Sequence, residues 1–74
     1  MNNFDRYDIA LESNPREAAA LALEFADGCG SKNNAWNWAE RAKAAAAEVG
    51  VTLDGGSRSW PDTEAMRQQL RGSR

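Results

Sequence analysis

The sequence contains no histidine and only one cysteine, Cys29. Without histidine the chain cannot build a histidine-based proton relay or a cysteine–histidine nucleophile. A single cysteine excludes an intramolecular disulfide, and the two absences together exclude an ordinary zinc site. Most of the chemistry that small enzymes use is therefore missing, and we expect neither a cofactor nor a bound metal.

Long apolar runs are also absent. No stretch of the sequence approaches the roughly 18 to 20 apolar residues that a membrane-spanning helix needs. Residues 1–5 lack the basic and apolar regions of a signal peptide. We therefore expect a cytoplasmic protein without membrane association, and the unpaired Cys29 is compatible with a reducing compartment.

An excess of positive charge is the third feature that the sequence lacks. Nine lysines and arginines stand against eleven aspartates and glutamates, which gives a net charge of -2. Such a chain has no overall cationic field to attract phosphates, so general affinity for nucleic acid is not expected. A length of 74 residues leaves room for one hydrophobic core, which predicts a single domain over residues 1–74.

The clearest signal for a helix lies at residues 14–17, Asn-Pro-Arg-Glu. Asparagine can cap a helix, proline suits its first position, and glutamate suits its third. The residues that follow are mostly good helix formers, and Gly28 is typical of the position just after a helix. The pattern predicts a helix over 15–27, and its nearly continuous apolar surface is typical of a central helix.

A second helix is predicted over 33–49, between a cap at Ser31 or Asn33 and a stop at Gly50. Its apolar residues recur at steps of three and four and form one stripe: Ala35, Trp38, Ala39, Ala42, Ala45, Ala46 and Val49. Because most of them are alanines, another helix can approach closely. Val51 is expected to fold back on the last turn in a Schellman-type end.

Residues 54–58 form a loop by composition, and a third helix is predicted over 61–71. Ser59 and Asp62 mark its start, and Gly72 marks its end. The first dozen residues fit a helix or a strand, but a lone strand would have no partner, so we predict a short N-terminal helix. The predicted fold is all-α, a small bundle of three main helices plus a short N-terminal helix. Its expected core residues are Leu21, Phe25, Trp38, Ala42 and Val49.

Trp36 is a candidate for contact with a partner. It lies about 160° from Trp38 around a helix of 3.6 residues per turn, so the two indoles cannot face the same core. Trp36 either packs under the N-terminal segment or the third helix, or serves as an exposed aromatic anchor. Trp60, at the start of the third helix, is the other candidate anchor, since tryptophan is enriched in interface hot spots.

Charge is divided unevenly along the chain. Residues 1–30 carry two arginines against six carboxylates, a net charge of -4, and the remaining residues carry +2. The N-terminal part is therefore a candidate acidic surface, with Glu12, Glu17 and Glu24 as candidate partner-binding residues. The alternative interpretation is that these carboxylates belong to ordinary solvated helix faces.

Three local motifs carry weaker signals. Cys29 lies between two glycines and is interpreted as a turn residue, because no base accompanies its thiol. Residues 55–59 lack the lysine and the preceding strand of a phosphate-binding loop, which favours a flexible connection. Residues 46–51 resemble the turn of a helix-turn-helix motif, but the glycines at 55 and 56 fall where a recognition helix should begin.

By elimination, the sequence predicts a non-enzymatic module that binds another protein. Its size, alanine-rich helices and lack of catalytic side chains resemble small accessory proteins of bacteriophages and other mobile elements. Such proteins bind and inhibit regulators or host defence proteins, as antirepressors and anti-CRISPR proteins do. The resemblance is one of type, so no residue role is carried over.

Two other functions stay open, and the sequence also suggests an assembly state. The chain could be a small DNA-associated regulator that uses the arginines towards its C-terminus, Arg58, Arg67, Arg71 and Arg74. It could also be an enzyme that uses paired carboxylates such as Glu12 and Glu17. A homodimer is expected because an alanine-rich chain of this length buries little apolar area alone.

Overall fold

The computed structural model describes residues 1–55 and 59–72, and these contain four α-helices and no strand. The helices are α1 (Asn3–Ser13), α2 (Pro15–Asp27), α3 (Lys32–Ala47) and α4 (Thr63–Gly72). The predicted all-α fold with a short N-terminal helix is confirmed. In the described residues, no helix combines the length and the apolar composition needed to cross a bilayer.

Polar caps fix the starts of the first three helices. In each case the side-chain oxygen of the cap accepts a hydrogen bond from the backbone N–H three residues later, which satisfies a donor that has no partner inside the helix. The pairs are Asn2 with Asp5, Asn14 with Glu17, and Ser31 with Asn34. The start of α2 thus agrees with the prediction, and Ser31 is the cap of α3.

The ends of α2 and α3 depart from the prediction by small amounts. Gly28 caps α2, and its φ of -85° lies in the right-handed helical region. The chain leaves the helix through a tighter turn, in which the Cys29 N–H donates to the Ala26 carbonyl. Regular α3 stops at Ala47 rather than at residue 49. Gly50 then adopts a φ of +78°, which glycine tolerates best.

The turn after α3 is a Schellman motif, as the sequence predicts. Val51 N–H bonds to the Ala46 carbonyl at 2.9 Å, and Gly50 N–H bonds to the Ala47 carbonyl at 3.1 Å. Val51 is buried, and so is Leu53 in the extended segment that follows. This turn therefore directs an apolar segment back onto the core.

The start of α4 differs from the prediction at Ser59. The helix begins at Thr63 rather than at 61, and the Asp62 carboxylate accepts the hydrogen bond from Ala65 N–H at 3.1 Å. Because a cap must directly precede the first helical residue, Asp62 is in position and Ser59 is not.

Helix α2 is the centre of the fold and touches each of the other three helices. Its contact with α3 is a seam of small side chains that lets the two helices pack closely, as predicted. The buried alanines are Ala18, Ala19, Ala22 and Ala26 on α2 and Ala35, Ala39, Ala42, Ala45 and Ala46 on α3. Leu23 and Met66 are the largest fully buried side chains.

The predicted core is partly right. Trp38 and Ala42 are buried, whereas Leu21, Phe25 and Val49 are only half-buried. Leu23, two residues from Leu21, is the leucine of α2 that is wholly buried. Since α2 is apolar around most of its surface, its sequence alone does not select the leucine that faces inward.

Side-chain hydrogen bonds hold α4 against α2. Thr63 Oγ1 donates to one carboxylate oxygen of Asp27 at 2.5 Å, and the Arg67 guanidinium pairs with the other oxygen. Arg16 donates to the Leu70 carbonyl at 2.7 Å. Burial acts to raise the pKa of Asp27, but the hydrogen bonds from Thr63 and Arg67 outweigh it, and the pKa lies below its ordinary value.

Candidate functional site

A cluster of aromatic rings joins α1 to α3. The Phe4 ring stacks on Trp38 with centroids 5.0 Å apart, and Phe25 and Tyr7 meet the same indole edge-on at 4.9 and 6.0 Å. The Tyr7 hydroxyl donates to the Arg41 carbonyl at 2.9 Å, and burial raises the pKa of Tyr7. Because Phe4 meets Trp38 and Tyr7 meets Arg41, α1 and α3 run in the same direction.

Beside this cluster lies a cavity of about 500 Å³ that we call the asparagine groove. It is lined by Asn2, Asn3, Phe4, Cys29, Asn34, Asn37, Trp38 and Arg41. Asn34, Asn37 and Arg41 follow one another at steps of three and four, so they share one face of α3. Within residues 1–55 and 59–72, the side-chain amides of Asn3, Asn34 and Asn37 form no hydrogen bond.

Arg41 supplies the one charge among the residues that line the asparagine groove. Its guanidinium lies 5.0 Å from the centroid of the Phe4 ring and 5.1 Å from that of Trp38. It forms no ion pair with a carboxylate of the described part of the chain. The rings therefore position a cation that has no counter-ion within the described residues.

Cys29 lines the groove from the turn between α2 and α3. Its thiol is half-buried and donates to the Phe25 carbonyl at 3.2 Å. This contact is consistent with the interpretation of Cys29 as a turn residue. No group of three potential metal ligands occurs in the described ranges.

The second surface, which we call the α1–α2 face, has an apolar centre of Met1, Ile9 and Leu21. These side chains line a cavity of about 390 Å³ together with Arg6, Ala10, Ser13 and Glu17. Met1 is 87% exposed and Ile9 is 54% exposed. The side chains of Met1 and Ile9 are thus open to solvent beside the half-buried Leu21.

The three candidate carboxylates lie around this apolar centre. Glu17 lines the cavity itself, Glu12 follows Ile9 by one turn of α1, and Glu24 follows Leu21 by one turn of α2. All three are exposed, and in the described part of the chain none of them forms an ion pair. The structure therefore places Glu17 in the cavity lining, and Glu12 and Glu24 each lie one helical turn from an apolar residue of that lining.

The two candidate tryptophans occupy different environments. Trp36 is half-buried, and its indole N–H donates to the Ser59 carbonyl at 2.5 Å, just before α4. The Lys43 ammonium lies 5.7 Å from the centroid of the Trp36 ring. Trp60 is 48% exposed. Trp36 thus packs towards the third predicted helix, one of the two alternatives, while Trp60 presents the more accessible indole.

The C-terminal arginines do not form an open basic surface in the described residues. Arg67 pairs with Asp27 and lies 4.0 Å from Glu64. Arg71 also lies 4.0 Å from Glu64. The predictions for Arg58 and Arg74 lie outside the described residues. Carboxylates near Arg67 and Arg71 weaken the argument for DNA contact through these side chains.

Several residues of these surfaces were not found from the sequence. The polar stripe of Asn34, Asn37 and Arg41 has a visible three-and-four spacing, which was a usable signal. Phe4 and Ile9 gave no such signal, because their positions depend on how α1 docks against two other helices.

The chain matches no known protein family, no curated protein and no solved structure.

Proposed function

We propose that this protein is a non-enzymatic interaction module that binds another protein through its α1–α2 face. The observation that carries the proposal is the exposed apolar centre, with Met1 at 87% and Ile9 at 54% exposure, next to Leu21. A clustered apolar surface on a small domain is a common mark of a protein interface. Arg6 at its edge lies 5.3 Å from the centroid of the Phe25 ring.

The charges around the centre define the chemistry of the partner. Asp5, Asp8 and Glu12 form one stripe on α1, and Glu17 and Glu24 lie along α2. These five carboxylates outnumber Arg6, so the surroundings of the apolar centre are acidic on balance. They fit a partner whose apolar contact residues are surrounded by lysine or arginine. Such rim charges mainly accelerate association and select against acidic proteins.

A second copy of this chain is a poor partner for the same face. Two α1–α2 faces in contact would bring like charges together, which costs free energy. The expected homodimer therefore needs another surface. We propose that the chain inhibits a regulator or defence protein by occupying a basic site on it. The support for this role is the chain's resemblance in type to phage accessory proteins.

The experiment is affinity capture from a lysate with the wild-type chain and single variants. Ile9→Lys and Glu17→Lys are expected to weaken capture of the same partner by about tenfold or more, as the loss of an interface hot spot does. Glu48→Lys is the matched control, because Glu48 is an exposed carboxylate at the C-cap of α3 that does not line the cavity of the α1–α2 face. Circular dichroism verifies that each variant is folded.

The outcomes separate the α1–α2 face from the candidate tryptophans. Capture that survives Ile9→Lys and Glu17→Lys but is lost with Trp60→Ala would refute the proposal and place the interface at Trp60. Capture that falls equally with Glu48→Lys would mean that overall charge, and not this face, governs binding.

A further inference from the structure

The asparagine groove has the size of a small-ligand site. Its volume of about 500 Å³ falls within the roughly 300 to 1,000 Å³ typical of such sites. It lies between α1 and α3, and Ile9 and Leu21 of the α1–α2 face do not line it. A ligand there would use contacts that the proposed protein interface leaves free.

The charge of the groove selects an anion. Arg41 lines it, no carboxylate does, and Asp5 on the first turn of α1 is outside the lining. A guanidinium offers a planar set of donors that binds phosphate oxygens in pairs. Because the rings of Phe4 and Trp38 already position the guanidinium, less side-chain entropy is lost when an anion binds.

The rest of the lining suits a nucleobase. The amides of Asn3, Asn34 and Asn37 each offer both donors and an acceptor, which is the pattern needed to pair with the edge of a base. The Asn2 oxygen already accepts the capping hydrogen bond from Asp5 N–H. Phe4 is 52% exposed, so part of its ring is available for stacking. A simple carboxylate or inorganic phosphate would leave the amides and the ring unused.

We propose that the asparagine groove binds a nucleoside monophosphate, with the phosphate on Arg41 and the base against Phe4. One cation is sufficient for a single phosphate, whereas an extended strand needs a row of cations. The site is therefore compatible with a chain whose net charge is -2.

Side-chain amide resonances in NMR spectra test this proposal directly. The chain has six asparagines, and Asn14 and Asn33 lie outside the groove, so they are internal controls. Titration with AMP is expected to shift the amide signals of Asn34 and Asn37 in a saturable way and to leave the two controls unchanged. Adenosine and inorganic phosphate should each bind about tenfold more weakly than AMP, since each lacks half of the contacts.

Variants identify the phosphate contact. Arg41→Gln is expected to weaken AMP binding by about tenfold and to leave the weaker adenosine binding unchanged. Lys43→Gln is the matched control, because Lys43 is a cation on the same helix that does not line the groove. Asn37→Ala changes an exposed side chain without a fold contact and should weaken both ligands. Ile9→Lys should leave AMP binding intact, so this proposal and the protein interface can fail independently.

Three results would overturn the proposal: no saturable shift at millimolar AMP, equal shifts at Asn14 and Asn33, or an equal loss in Lys43→Gln and Arg41→Gln. A single-stranded oligonucleotide with a terminal phosphate distinguishes the source of the nucleotide. Tighter binding than AMP assigns the groove to the end of a strand, and weaker binding assigns it to the free nucleotide.

Discussion

Leu21 and Leu23 of α2 provide a matched test of the packing. Replacement by alanine removes the same atoms at both sites, but Leu23 is 0% exposed and Leu21 is half-buried. At Leu23 the lost contacts and the remaining cavity should cost about 3 to 5 kcal/mol. At Leu21 the cost should be about 1 kcal/mol, because much of that side chain is already in water.

The difference is large relative to the total stability of the domain. A chain of 74 residues is expected to have a free energy of unfolding of about 4 to 11 kcal/mol. Leu23→Ala should therefore lower the melting temperature by roughly 12 to 40 °C, and Leu21→Ala by about 4 to 8 °C. Urea and thermal unfolding followed by the helical circular dichroism signal measure both. Equal losses, or a larger loss for Leu21→Ala, would refute this orientation of α2.

Other substitutions test the remaining contacts. Trp38→Ala should cost about 3 to 5 kcal/mol and the half-buried Trp36 only about 1 to 2, and thermal melts that reverse this order would contradict the packing. Gly55→Ala should lower stability by about 1 to 3 kcal/mol in urea unfolding, because its Cβ would lie 2.8 Å from a carbonyl oxygen; an unchanged midpoint would argue against this close approach. The pKa of Asp27 is lowered in the folded protein. Its contribution to the free energy of unfolding is therefore complete above pH 3.8, the ordinary pKa, and is lost as the pH falls through the lowered pKa. Unfolding curves should show that wild type is more stable than Asp27→Asn near neutral pH and that this difference in stability disappears in acid. A difference in stability that stays constant at every pH would count against the link between Asp27 and Arg67. Light scattering tests the expected homodimer, and a monomer mass at high concentration would exclude it.

The sequence determined the helices and most of their limits, because the signals for them are local. Asn14 and Pro15 start α2 through a cap and a fixed φ, and Gly50 with Val51 ends α3 through a turn that glycine favours. The seam of alanines in α3 also predicted correctly that a helix packs closely there. The cap and the turn each depend on residues within about one turn of one another, and the seam depends on a repeat within a single helix.

The tertiary structure alone decided which surfaces those helices present. Leu23 rather than Leu21 is buried because α2 touches three neighbours and its own pattern does not distinguish its sides. The asparagine groove joins Phe4 to Arg41, and the α1–α2 face joins Ile9 to Leu21. These pairs are far apart in the chain and come together only when α1 docks against α2 and α3. Periodicity describes one helix at a time, so it cannot specify a contact between two of them.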